Sequence, residues 1–397
     1  MMVNNYHDTT FYLICSNIKD FKFINEIFGM EKGNQVLLKQ AKLMSSNPSE
    51  RTICARLMND RFALCLPREE FDEKRVADSV KELQREFTGN SFHMHMYMGV
   101  YEIRDRNEAV SIMVDKANIA ADTIKNNYDC CVAYYDEHLL EISIEQRRLL
   151  GEFEPALQKD EFAMYLQPQV NRDGAAKGAE ALVRWVHPSR GILTPYAFID
   201  ILENAGLIYK LDLYIWEKAA QKLAEWKEKG YGSYHISVNI STKDFYIIDI
   251  YETFTGLINK YGIAASNLHL EITETTLMTD FEKNMNIIHK LQGVGFRVEI
   301  DDFGSGYSSL NMLKDISADV LKIDMGFLRK SENEVKGQDI LESIIALAGK
   351  IGMDVITEGV ETKKQLDMLT MMGCHEFQGY YFSKPVPVSE FEEKYLV

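Results

Sequence analysis

The sequence predicts two domains, an α+β domain followed by an α/β domain of (β/α)8 TIM-type barrel architecture. Three observations lead there. A chain of 397 residues with 46% apolar content can fill two cores, because single cores usually stop growing at roughly 250–300 residues. The first part mixes strand and helix signals in a βαββαβ order. From Glu161 onward, eight short β-rich runs recur with helical stretches between them, spread over about 240 residues.

In the first part, FYLICSNI at 11–18 reads as an apolar strand, and NQVLLKQAKLM after Gly33 as a helix. ICARLMNDRFALCL gives two strands around a turn at Met58, Asn59 and Asp60. A helix over Glu70–Phe87, a strand around His95 and a helix over Asn107–Asn126 complete the pattern. DEHLLEISIEQRRLLGEFEPAL then carries apolar residues at helical spacing, which predicts a helix, either a connector between the domains or the ordinary first helix of the second. The resulting division is residues 1–137, a connector at 138–152, and a barrel over 153–397.

The eight β-rich runs are FAMYLQP, GAEALVRW, YHISVNI, LHLEIT, FRVEID, DVLKID, MDVITEG and HEFQGYYF. Between them, FIDILENAGL, LYIWEKAAQKLAEWKEKG, DFEKNMNIIHKLQGVG, DILESIIALAGKIG and TKKQLDMLTMMG read as helices.

Composition excludes several function classes. A net charge of -16 argues against coating nucleic acid polymers or anionic lipid, since that affinity comes from Lys and Arg displacing counterions. No apolar run approaches the roughly 20 residues of a membrane span, so a cytoplasmic protein is expected. The six cysteines form no CxxC pair, and the nine histidines are scattered. The close pair His93 and His95 lies in an alternating stretch that reads as a strand.

Catalytic groups in such barrels sit at the C-terminal ends of strands. Glu180, Asn239, Glu271, Asp301 with Asp302, Lys322, Glu358 and Gln378 all fall in or at the ends of the β-rich runs. Carboxylates facing into a packed barrel cost several kcal/mol each unless a cation compensates them. Carboxylates plus one amide form an all-oxygen ligand set, which suits Mg²⁺ or Mn²⁺ better than Zn²⁺. The adjacent acids Asp301 and Asp302 could flank a pair of ions, and Lys322 offers a cation to a phosphate. FGSGYSSLNMLKDI, directly after these acids, reads as an active-site loop because Gly304 and Gly306 permit close backbone approach.

The strings EALVRW at 180–185, DDFGSGYSSL at 301–310, LKID at 321–324 and EGVE at 358–361 closely resemble the EAL domain of bacterial cyclic-di-GMP signalling. LQPQV, VNIS, LEITET and QGYYFSKP extend the resemblance over residues 150–397. It implies hydrolysis of cyclic di-GMP to linear pGpG with Mg²⁺ or Mn²⁺, two ions, and a barrel whose first strand is antiparallel. By the same resemblance Glu180, Asn239, Glu271, Asp301 and Asp302 are metal ligands, while Lys322 and Glu358 orient or deprotonate the attacking water. Glu274 anchors the glycine-bearing loop, and Gln167, Leu182, Arg184 and Gln378 contact the substrate. A homodimer is also implied.

NIKDFKFINEIFG at 17–29 and RLMNDRF at 56–62 resemble the GGDEF cyclase domain, in degenerate form. Both glycines of the signature turn are lost, and Arg61 stands at a carboxylate position where it repels a cation. Asn17 and Asn34 replace aspartates, and Asp122 replaces a phosphate-binding lysine, although Asn25 and Asp60 are retained. Ser49-Glu50-Arg51-Thr52 carries no RxxD inhibitory motif. The resemblance therefore implies a regulatory or dimerising module. Two other functions stay open from sequence: a non-catalytic cyclic-di-GMP receptor, and a bifunctional cyclase and phosphodiesterase.

Overall fold

The computed structural model describes residues 2–19, 21–45, 49–87, 94–125, 127, 130–303, 316–324 and 334–396. The chain divides into two compact units at Arg148 and Leu149.

The first unit is built on five strands, β1 (Phe11–Ile18), β2 (Ile53–Arg56), β3 (Phe62–Pro67), β4 (Met96–Glu102) and β5 (Val132–Tyr134), in the order β2-β3-β1-β4-β5. Only the β4–β5 pair is parallel. Ile14, Val36, Met96, Met98 and Val100 centre its larger core cluster. The expected βαββαβ order is present, with two additions. A helix at Phe21–Phe28 precedes one at Met30–Met44, which begins earlier than predicted because packing of Val36 and Leu37 outweighs the weak helix propensity of Gly33. Strand β5, three residues long, is too short to show a period.

The second unit contains β6 (Phe162–Val170), β7 (Ala176–His187), β8 (Gly191–Leu193), β9 (His235–Ile240), β10 (Leu268–Thr273), β11 (Val298–Phe303), β12 (Val320–Asp324), β13 (Asp354–Glu358), β14 (Glu376–Phe377) and β15 (Val386–Pro387). β7 and β9 to β14 run parallel, and β6 closes the eight-stranded barrel by pairing antiparallel with both β7 and β14. The last run, HEFQGYYF, gives a two-residue strand where a longer one was expected. Its chain turns away at Gly379, where a Cβ would lie 2.2 Å from Val360 O. β8 and β15 are again too short to be read from periodicity.

Period-two alternation decides what the barrel encloses. Ile236, Val238 and Ile240 of β9, Leu268, Leu270 and Ile272 of β10, and Leu321 and Ile323 of β12 pack in the core shared with the surrounding helices. His235, Ser237 and Asn239, then His269 and Glu271, then Lys322, alternate with them and line the opposite, inner face. The helix Ile208–Glu228 buries Leu211, Trp216, Leu223 and Trp226 in this core, and Trp216 Nε1 donates to Asn239 O at 2.9 Å. Among the described residues no helix is long and apolar enough to cross a membrane.

Candidate active site

Lys322 organises the upper half of the barrel. Its side chain is wholly buried, and Nζ lies 2.7 Å from Glu358 Oε1, 2.9 Å from Glu271 Oε1, 3.4 Å from Glu180 Oε2 and 3.5 Å from Asp301 Oδ1. These four acids come from β7, β10, β11 and β13, so the barrel brings together residues spread over nearly 180 positions of sequence. Both oxygens of the buried Glu271 lack a hydrogen-bond partner.

Electrostatics follow from that crowding. Four carboxylates around one ammonium leave a surplus of negative charge. Burial, and then the charge of Glu180, pushes Glu271 well above the usual carboxylate range. Burial does the same to Glu358, although Lys322 opposes it. For Lys322, burial alone would lower the value, but Asp301, Glu180, Glu271 and Glu358 together hold it well above an ordinary lysine.

Amides frame the acids. Asn239 Nδ2 donates to Glu180 Oε1 at 3.1 Å, and Gln378 Nε2 donates to Glu180 Oε2. Gln378 Nε2 also reaches Gln167 Oε1 at 3.3 Å, and Gln167 Nε2 donates to Ser383 O at 3.3 Å. Glu180 faces Gln167 in the antiparallel β6–β7 register, and Glu271 faces Asn239 in the parallel β9–β10 register.

Of the residues expected at the site, Glu180, Asn239, Glu271, Asp301, Lys322, Glu358, Gln378 and Gln167 are brought together. Leu182 and Arg184 lie further along β7. Arg184 donates to Val183 O at 2.8 Å and stacks over the Tyr165 ring at 5.6 Å, so Tyr165 sets the position of its guanidinium. Burial lowers the Arg184 value. Glu274 opens the short helix Glu274–Thr279 directly after β10. The glycine-bearing loop it was expected to anchor, and the Asp302 side chain, lie outside the described residues.

Residues present fit a hard divalent cation. The donor set is all oxygen, it carries surplus negative charge, and Glu271 offers two buried oxygens without hydrogen bonds.

One polar group on the inner face escaped sequence reasoning. Below the acids, His269 Nδ1 lies 2.6 Å from Glu299 Oε1, Ser237 Oγ donates to that oxygen at 3.1 Å, and His235 Nε2 contacts Gln169 Oε1 at 2.7 Å. Burial and then the charge of His269 hold His235 down to about 3; Glu299, which burial would raise, is held down to about 2 by His269. The signal was available. His269 and Glu299 each stand two residues before an expected ligand, and therefore on the same strand face.

In the first unit, a cavity of about 790 Å³ is lined by Asn17, Asn25, Asn34, Asn59 and Arg61 among others. Asn17 Nδ2 donates to the Tyr97 hydroxyl at 3.0 Å, and Asp60 Oδ2 accepts from Ile18 N at 3.0 Å. Asn59 adopts φ 54°, which maintains the turn where glycine is absent.

Fold and site together define an α/β barrel with a buried acidic centre built around one lysine. The chain belongs to the EAL domain family, which matches residues 151–385, and a diguanylate cyclase GGDEF domain matches residues 2–129. It is 29% identical over 395 residues to the bifunctional diguanylate cyclase/cyclic di-GMP phosphodiesterase MucR of Pseudomonas aeruginosa, covering 96% of this chain and 57% of that one. The cyclic di-GMP phosphodiesterase PdeR of Escherichia coli is 33% identical over 240 residues, 60% of this chain and 36% of that one. Among solved structures, the MucR phosphodiesterase in complex with c-di-GMP superposes with a TM-score of 0.59 at 33% identity, covering 62% of this chain and 99% of the other. The chain spans about half the length of the curated relatives it matches along nearly its whole extent.

Proposed function

We propose that residues 153–397 hydrolyse cyclic di-GMP to linear pGpG with Mg²⁺ or Mn²⁺, two ions held by Glu180, Asn239, Glu271, Asp301 and Asp302. The observation that carries this reading is the four-acid cluster around Lys322, whose surplus negative charge calls for cations. Such ions, when bound, activate water and offset phosphate charge.

The chain's own residues supply the rest. The product defines the bonds: a water oxygen joins phosphorus, the P–O3′ bond breaks, and the leaving 3′-oxygen takes a proton. Lys322, fully buried and ion-paired on four sides, stays a fixed cation that orients the attacked phosphate. Glu358, whose side chain is 17% exposed, is the better acceptor of the water's proton because it can return that proton to solvent. Arg184, held by Tyr165, presents a planar donor fork to the second phosphate. Gln378, itself hydrogen-bonded to Gln167, fixes the Glu180 carboxylate, and both glutamines with Leu182 line the substrate groove, while Glu274 holds the loop after Asp302.

Residues 1–137 act as a regulatory domain in a cytoplasmic homodimer, with 138–152 as its connector. With Asn17, Asn34 and Arg61 in place, Asp60 is the one carboxylate lining the first unit's cavity, fewer than a two-cation cyclase needs. The deciding experiment incubates purified protein with cyclic di-GMP and either metal. Formation of pGpG that disappears in Glu180→Ala supports the reading. Tight binding without turnover under both metals would instead make the barrel a receptor.

A further inference from the structure

A fifth buried carboxylate, Glu299, stands beside the acidic centre and faces away from it. Glu299 on β11 pairs in register with Glu271 on β10, and both side chains are buried. Glu271 turns toward Lys322, whose Nζ lies 2.9 Å from its Oε1. Glu299 turns toward the starts of the strands instead, where its Oε1 lies 2.6 Å from His269 Nδ1 and 3.1 Å from Ser237 Oγ. Lys322 is nonetheless the closer cation by strand order. β11 lies between β10 and β12, so Glu299 is one strand from the lysine and Glu271 is two. The register partner of Glu299 on β12 is Val320, two residues before Lys322 and on the same face.

What holds Glu299 in the lower layer is an ion pair. His269 Nδ1 faces the carboxylate, and His269 Nε2 lies 3.2 Å from Ser266 O. Both partners accept, so both ring nitrogens carry hydrogen and the ring is a cation. Its place is fixed by His235, stacked on it at 3.9 Å between centroids and 4° between planes. His235 Nε2 in turn lies 2.7 Å from Gln169 Oε1, and Gly178 leaves room for that ring, since a Cβ there would lie 2.3 Å from Nε2. Glu299 Oε2 has no hydrogen-bond partner. Among the described residues, His269 and Ser237 therefore supply the hydrogen bonds that hold the carboxylate down.

We propose that His269 is a positioning residue for the reaction of the barrel: it holds the Glu299 carboxylate away from Lys322, so that the lysine serves only the four acids of the reacting layer. This rests on the hydrolytic reading given above. With His269 removed, a buried carboxylate keeps one hydroxyl partner, and the cation one strand away is the group that compensates it. Glu299 then turns up to Lys322 and draws the ammonium off Glu271 and Glu358, which it contacts at 2.9 Å and 2.7 Å. The harm comes from Glu299, and taking Glu299 away as well removes it.

The order of activities among variants of the full chain tests this. In His269→Leu, pGpG turnover with Mn²⁺ is expected to fall about tenfold or more. His269→Leu/Glu299→Leu removes both charges together, which buried ion pairs tolerate, and is expected to recover to within about threefold of wild type. His269→Gln keeps a donor toward Glu299 and should turn over faster than His269→Leu. A merely structural role predicts the double variant to be the weakest, because it loses the most. A double variant no better than His269→Leu, or a His269→Leu rate equal to wild type, overturns the proposal. Should His269→Leu not fold, a folded and active double variant supports it, and an inactive one overturns it. The crystal structure of His269→Leu, or of His269→Asn where the leucine variant does not fold, reads the position of Glu299 without turnover. A carboxylate within about 4 Å of Lys322 Nζ supports the holding role, and one still on Ser237 overturns it. A wild type that makes no pGpG defeats the hydrolytic reading, and the structure of the variant still decides what His269 holds.

Discussion

Two clefts in this chain face the same physical problem with opposite means. The barrel gathers Glu180, Glu271, Asp301 and Glu358 around a single buried lysine. The cavity of the first unit is lined instead by asparagines, by the cations Lys19, Lys22, Arg56, Arg61 and Lys125, and by one carboxylate, Asp60. A surface with surplus negative charge gains by binding cations, whereas a lining in which Lys and Arg outnumber a single Asp repels them. Charge balance, more than shape, therefore separates the acidic centre of the barrel from the cation-rich cavity of the first unit.

The largest expected effect tests the barrel side. Glu271→Gln removes one negative charge from the most deeply buried of the four acids around Lys322, and turnover measured by chromatographic separation of pGpG should fall on the order of 10³-fold. A residual rate within tenfold of wild type would place the reaction elsewhere. Lys322→Met comes next, because it leaves four acids without their cation. Without divalent metal the variant should lose about 3–5 kcal/mol in denaturant melts, with part of the loss recovered on adding Mn²⁺.

A third case pairs two acids directly, Asp244 and Asp212. Asp244, fully buried beside Asp212, is pushed up to about 6, chiefly by burial, and its Oδ2 accepts from Ser241 N at 2.8 Å. The folded chain thus holds that proton more tightly than the unfolded one. The resulting stability is complete below about pH 4 and lost as pH rises through about 6. Asp244→Asn imitates the protonated acid at every pH, so it should stabilise the chain by about 2 kcal/mol at pH 7.5 and by nothing at pH 4. Equal melting shifts at both pH values would contradict the proton-sharing account. The smallest signal is expected from the first unit: GTP and Mg²⁺ incubated with Glu180→Ala should yield no cyclic di-GMP. Its accumulation would erase the contrast between the clefts.

Much of the barrel is legible in sequence because two periods coincide. Apolar residues at alternate positions mark strands such as LHLEIT, and the polar residues between them, Glu271 among them, are the ones that line the interior. The antiparallel course of β6 came from family resemblance alone, since an apolar run carries no sign of its direction. The helix Ile250–Tyr261 was missed although Asp249 caps it, Gly262 ends it and Ile250, Phe254, Leu257, Ile258 and Tyr261 recur at helical spacing. The His235, His269 and Glu299 group was missed for a different reason. Its members lie about 30 residues apart in sequence, and only barrel closure makes them neighbours.

Reversal of β6 also decides where the barrel is attached to everything upstream of it. Phe162 pairs with Trp185 late in β7, and Val186 N donates to Glu161 O at 2.7 Å, so the polypeptide enters at the rim that carries the acids. Had β6 run parallel to its neighbours, entry would fall on the far floor beside Gly178 and His235. Buried Leu149, Phe153 and Ala156 fasten the incoming helix to this unit just before that entry. The backbone therefore joins this unit at the rim of the acids, on the strand paired with the one that carries Glu180.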